Sequence, residues 1–93
     1  MKIFLCSHLV MLRWSGGETA ANLDQISAAA AIVNAEEPLA VGAAVRILCD
    51  RYEANGVVSN CEIDPLGYFI EIALSEPWSP EIFRPDHFFD PVF

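Results

Sequence analysis

Basic residues are scarce. Five Lys and Arg stand against 13 Asp and Glu, and the formal charge is −8. Polynucleotides are held through clustered Lys and Arg, so this balance argues against nucleic acid. It argues equally against anionic membrane surfaces. Long apolar runs are missing too. Apolar residues make up 54% of the chain, but they are dispersed, and no run approaches the roughly 18 residues of a membrane helix. The start, Met1 to Cys6, is apolar only briefly. Ser7 and His8 break it, no small-residue cleavage site follows, and Leu5-Cys6 lies too near the start for a lipoprotein signal. An N-terminal strand or arm is expected there. Paired cysteines are also lacking. Cys6, Cys49 and Cys61 are an odd set without paired spacing, which predicts free, buried thiols in a reducing cytoplasm.

What is present is strand-like. The 93 residues make one domain with one modest core. Ser7 to Trp14 reads as a first strand, with His8, Val10, Leu12 and Trp14 on one face and Leu9, Met11 and Arg13 on the other. Ser15-Gly16-Gly17 is a hairpin turn, and Glu18 to Ile26 returns. Ala28 to Ala31 favours helix by propensity. No amphipathic stripe extends it, so it predicts a tight turn feeding a short third strand, with small side chains that let backbones approach. After a Pro- and Gly-punctuated loop at 36–42, Ala44 to Cys49 alternates, with Val45, Ile47 and Cys49 inward. Asp50-Arg51 is a turn. Tyr52 to Ile63 is a long strand in which Gly56 marks a bulge or strained position. Asp64 to Gly67 turns again, and Tyr68 to Leu74 has the clearest period of two.

From Glu76 the texture changes. Pro77, Pro80, Pro85 and Pro91 rule out a continuing strand. Ser79-Pro80-Glu81 is a helix-start signal good for one turn, and Asp86 can cap a second through His87, Phe88 and Phe89. Trp78, Phe83, Phe88, Phe89 and Phe93 crowd this segment. The favoured use for them is to close one end of a small core. The other is a partner-binding hook, with Trp78, Phe83, Phe88 and Phe89 as contacts. Six short strands with turn signals predict an all-β, six-stranded antiparallel barrel over about 7–76. Short helical turns are expected in the extension, 77–93.

Catalytic and metal constellations are thin. Cys6-x-His8 lacks metal-ligand spacing, and only a fold accident would bring Cys49, Cys61 and His87 to it. A nucleophile needs a base, and only His8 and His87 offer one. Glu36-Glu37 and Glu62/Asp64 read as solvated loop charges. No enzyme activity, metal or cofactor is expected; a small hydrolase or metal protein is a remote alternative.

One stretch carries a family resemblance. Asn22 to Val33 resembles the Asp/Asn-x-Ser-x-x-Gly signature of PilZ domains, small bacterial β-barrels that read cyclic di-GMP. Gln25 stands where the acid or amide belongs, Ser27 is kept, and Ala30 replaces the glycine. The Pro38-Leu39 to Gly42 loop, the Gly56-Val57-Val58 strand and Gly67-Tyr68 follow in the family's order. The resemblance implies a six-stranded barrel and a setting in bacterial second-messenger signalling. The family's Arg-x-x-x-Arg pair, whose planar forks suit phosphates and guanine edges, is absent from this chain. The expectation is therefore a non-canonical PilZ-like adaptor that binds a protein partner and not the nucleotide. The alternative is a true cyclic di-GMP receptor using Arg13, Lys2, Gln25 and Ser27.

Overall fold

The computed structural model describes residues 2–89. Six strands, β1 (Phe4–Trp14), β2 (Gly17–Ile26), β3 (Ala30–Ala35), β4 (Ala44–Cys49), β5 (Tyr52–Asp64) and β6 (Gly67–Leu74), form one closed antiparallel barrel in the order β1-β2-β3-β6-β5-β4. The barrel expected from the alternating pattern is the barrel observed. β1 begins earlier than Ser7, at Phe4, because Phe4 buries its ring under the later chain. Asp90, Pro91 and Phe93 of the aromatic extension lie outside the described residues.

Alternation places the core. Val10 and Leu12 of β1, Val33 of β3, Val45 and Ile47 of β4, and Ile70 and Ile72 of β6 all point inward and are buried. The period of two is not kept throughout. β2 slips register between Leu23 and Gln25, so Leu23 and Ile26, three apart, are both buried. A uniform alternation puts them on opposite faces; the bulge at Asp24 reconciles them.

The alanine run is not a helix. Ser27 N–H donates to Ala30 O at 2.8 Å, closing the turn into β3. The carbonyls of Ala28 and Ala29 accept from Trp78 N–H at 3.0 Å and Leu74 N–H at 2.8 Å. Small side chains let the chain leaving β6 come this close.

Gly56 has a different reason for being glycine than the one its sequence context indicates. The register slip in β5 falls between Val58 and Asn60, not at Gly56. Gly56 pairs regularly with Val45 and Leu74. A Cβ there would lie 2.6 Å from Ala73 O and 2.6 Å from the Ile72 side chain. It is a close backbone approach, not a bulge.

The barrel has two mouths. One carries the β1–β2 and β5–β6 turns and the loop 36–43, which drops Leu39 into the core. The other is ringed by the start of β1, the Ser27 turn and the Asp50-Arg51 turn, and the segment after β6 covers it. Trp78 is 2% exposed there. Its ring meets Phe4 edge-on, with centroids 5.5 Å apart, and its Nε1–H donates to Phe83 O at 2.9 Å. Ser79 opens a single turn, accepting from Ile82 N–H at 3.0 Å and Phe83 N–H at 3.4 Å. The second helical turn expected after Asp86 does not form. Four residues cannot repay helix nucleation, and an open strand edge offers their backbone partners instead. Phe89 N–H donates to Leu5 O at 2.7 Å, and Ser7 N–H to Asp86 O at 3.1 Å.

Candidate functional site

The residues of the PilZ-like signature are engaged in closing the corner between β2 and β3. Ser27 is buried. Its hydroxyl accepts from Ala30 N–H at 3.2 Å and donates to Ala30 O at 3.3 Å. This is a side-chain-supported turn, the local role that serine most often takes. Ala30 does not have a positive φ: among the described non-glycine residues only Asp50 and His87 do. Alanine therefore costs nothing at the position where the signature carries glycine.

Arg13, Gln25 and Ser27 do not converge. Gln25 lies opposite Leu5 in the β1–β2 ladder, and Arg13 lies opposite Glu18. Eight residues of strand separate the two positions, roughly 25 Å at the usual rise. Arg13 Nε donates to Glu18 at 3.0 Å. Across the next ladder it faces Arg46, which is 3.8 Å from Glu53. The two guanidinium groups are thus each matched by a carboxylate, and the row carries no net positive charge. Lys2 is at the signature's end of β1, where its ammonium lies 5.5 Å from the centroid of Phe4.

The tail mouth gathers more unusual chemistry. His8, at an inward position of β1, is buried. Its Nδ1 accepts from the backbone N–H of Asp86 at 2.9 Å, which puts the ring proton on Nε2, toward Asp50 Oδ2 at 4.0 Å. The Asp86 carboxylate is 3.5 Å from Nδ1. Phe83 meets the imidazole edge-on at 5.2 Å and stacks on Tyr52 at 4.9 Å. An open cleft here is lined by His8, Asp50, Arg51, Phe83, Arg84 and Asp86. In the sequence His8 reads as a possible base or as half of the Cys6-x-His8 metal pair. The available signal was its place on the Val10–Leu12 face, since a buried imidazole needs a hydrogen-bond partner.

The four tail aromatics divide. Trp78 is core. Phe83 and Phe88 are half-buried, and Phe88 stacks on Phe4 at 4.8 Å. Phe89 is 64% exposed, beside Leu5 at 51%. Of the four, Phe89 presents the most surface to a partner and Trp78 almost none.

Nucleophilic chemistry finds little to work with. Burial pushes the Cys6 thiol up to about 11, with Asp24 adding to the effect. Burial, then Asp50, pushes Cys49 to about 11. Both stay protonated at neutral pH and are poor nucleophiles. All three cysteines are free, and among the described residues no three His, Cys, Asp or Glu side chains group to hold a metal. Among the same residues no helix is long and apolar enough to cross a membrane.

The fold and site define a small closed β-barrel with an aromatic strap over one mouth. Comparison with protein-family models, with curated proteins and with solved structures found no match.

Proposed function

We propose that this chain is a non-canonical PilZ-like adaptor domain of the bacterial cytoplasm. It acts through protein–protein contact in cyclic di-GMP-related regulation without taking up the nucleotide. The signalling setting rests on the resemblance of the Gln25-to-Ala30 stretch, and the six-stranded barrel accords with it. The single observation that carries the ligand-free reading is the Ser27 corner. Its hydroxyl is spent on Ala30, and Arg13 stands at the far end of the β1–β2 hairpin, held by Glu18. Each missing charge-assisted hydrogen bond removes about 1.5–3 kcal/mol, roughly tenfold or more in affinity.

Calorimetry with cyclic di-GMP tests this. At micromolar concentrations no saturable heat is expected. A saturable complex abolished by Arg13→Ala assigns the chain to the receptors instead and ends the adaptor reading.

A further inference from the structure

β1 is 11 residues long, yet it pairs with β4 only through Met11, Leu12 and Arg13. Its other edge follows β2 from Phe4 to Trp14. The β4-side edge therefore runs past the end of its neighbour, and backbone groups near Leu5 and Ser7 need another partner. An edge of this kind is a template for strand addition.

Residues 86–89 occupy it. Ser7 N–H donates to Asp86 O at 3.1 Å, Phe89 N–H donates to Leu5 O at 2.7 Å, and Leu5 and Phe89 form an antiparallel bridge. Between the two bonds the segment carries one extra residue. His87 takes it up with a φ of 53°, a costly conformation for a residue with a side chain. His8 supplies a third bond, its Nδ1 accepting from Asp86 N–H. Phe88 lies on Phe4, with Arg84 over its other side at 4.7 Å. The contact is short, irregular and half-exposed, whereas the wall strands are held by continuous ladders. Such segments open locally before the rest of a domain does.

We propose that the β1 edge from Leu5 to Ser7, floored by Phe4, Trp78 and His8, is a strand-addition site for an extended peptide of a partner protein, and that residues 86–89 are its occupant in the resting chain. This rests on the adaptor reading for there being a partner. The resident segment specifies the ligand's chemistry. Its carbonyl meets Ser7 N–H, one backbone N–H meets Leu5 O, a second meets His8 Nδ1, and an aromatic ring lies on Phe4. Strand addition draws affinity from such main-chain bonds and specificity from the side chains between them. The tethered segment sits at millimolar effective concentration, so an outside peptide gains the site only as the strap lets go, and its apparent affinity falls with the open fraction.

The probe is a labelled synthetic peptide with the sequence of residues 84–93, added to the full chain. The Phe88→Ala full chain, with its strap loosened, is expected to bind it at least tenfold more tightly than the unaltered chain. Adding Ser7→Pro, which deletes the edge donor, is expected to remove that gain. Equal binding to the unaltered and Phe88→Ala chains, or none to either, overturns the proposal. A concentration-dependent dimer of the unaltered chain overturns it too, because the edge then belongs to a second copy. Amide exchange on the unaltered chain needs no variant. Ser7 and Phe89 should exchange at least a hundredfold faster than the β1–β2 ladder amides. Matching protection means that the strap does not open by itself, and the site is closed. Absence of a natural partner in pull-downs would sink the adaptor reading and leave the peptide result standing. Loss of peptide binding would leave an adaptor that uses another face.

Discussion

The two mouths of the barrel are closed by different means. At the hairpin mouth the parts are closer in sequence, the Asn34–Asp64 bond spanning 30 residues. Asp64 accepts from Leu66 N–H at 2.7 Å across the β5–β6 turn and takes Asn34 Nδ2 at 2.9 Å. Leu39 fills the opening from a loop that joins β3 to β4. At the tail mouth the partners are remote. His8 and Asp86 are 78 residues apart, and Phe4 meets Trp78 and Phe88. Closure over the longer separation costs more loop entropy, by about 0.6 kcal/mol for each doubling of length. The tail mouth is held by large aromatic contacts, and it is the end at which strand addition is proposed.

The strongest single substitution against this contrast is Trp78→Ala. A nearly buried tryptophan with an indole bond to Phe83 O is lost, and about 3–5 kcal/mol should go with it. Urea unfolding followed by dichroism measures this. Ending the chain after Glu76 should do more damage still, because Phe83 and Phe88 leave as well. A truncated chain that melts with the full one would show that the tail is no part of the core. At the hairpin mouth Leu66→Ala, at a residue 83% exposed, should change stability by about 0.5 kcal/mol or less.

Gly67→Ala is the hairpin mouth's own weak point. Gly67 has a φ of +139°, and a Cβ would collide with Ala35 O. The strain should cost about 1–3 kcal/mol and leave the tail contacts unchanged. Urea midpoints give the loss, and Phe89 amide exchange relative to the global opening rate shows whether the tail is spared.

The contrast also explains what the sequence made legible. Turns such as Asp64-Pro65-Leu66-Gly67 are written in adjacent residues, and β1, β4 and β6 announce themselves by alternation. Hence the six strands and their turns can be read from the chain. The contacts of the tail mouth have no adjacent signal. The Asp86 backbone bond to His8 depends on where the chain returns, and β1's open edge depends on how far β4 runs beside it. Asp86 to Phe89 therefore carries a helix-start signal, yet meets β1 through a single bridge at Phe89. The signature near Ser27 is visible as a motif, and the hairpin reading already sets Arg13 beside the Ser15-Gly16-Gly17 turn; the Ser27 hydroxyl contacts and the Arg13–Glu18 bond come only with the structure.

Ser27→Ala sharpens the comparison at a smaller scale. The turn keeps its backbone bond from Ser27 N–H to Ala30 O but loses the hydroxyl bridge. A loss of about 1 kcal/mol is expected in urea unfolding. If Ser27 instead served a ligand, the variant would keep its stability and lose binding.

The mildest probe is alkali, and it should find the tail mouth first. Cys6 of β1, Cys49 at the end of β4 and Tyr52 at the start of β5 stand there, and burial is the first cause of the upward shift in each. For the two thiols the shift runs from 9.0 to about 11. An acid raised in the folded state keeps its proton while the unfolded chain has already lost it. Between those values the folded chain binds more protons, so stability falls as pH rises. The contribution is intact below about pH 9 and lost by about 11. Urea midpoints should be level from pH 7 to 8.5 and lower at pH 10.5. Cys6→Ser with Cys49→Ser should flatten most of that fall. Amide exchange at raised pH, corrected for the intrinsic base-catalysed rate, should show Ser7 and Phe89 deprotected before the hairpin-mouth amides. A profile that stays level through pH 10.5, or deprotection that begins at the Asp64 turn, would mean that the two mouths do not differ in this way.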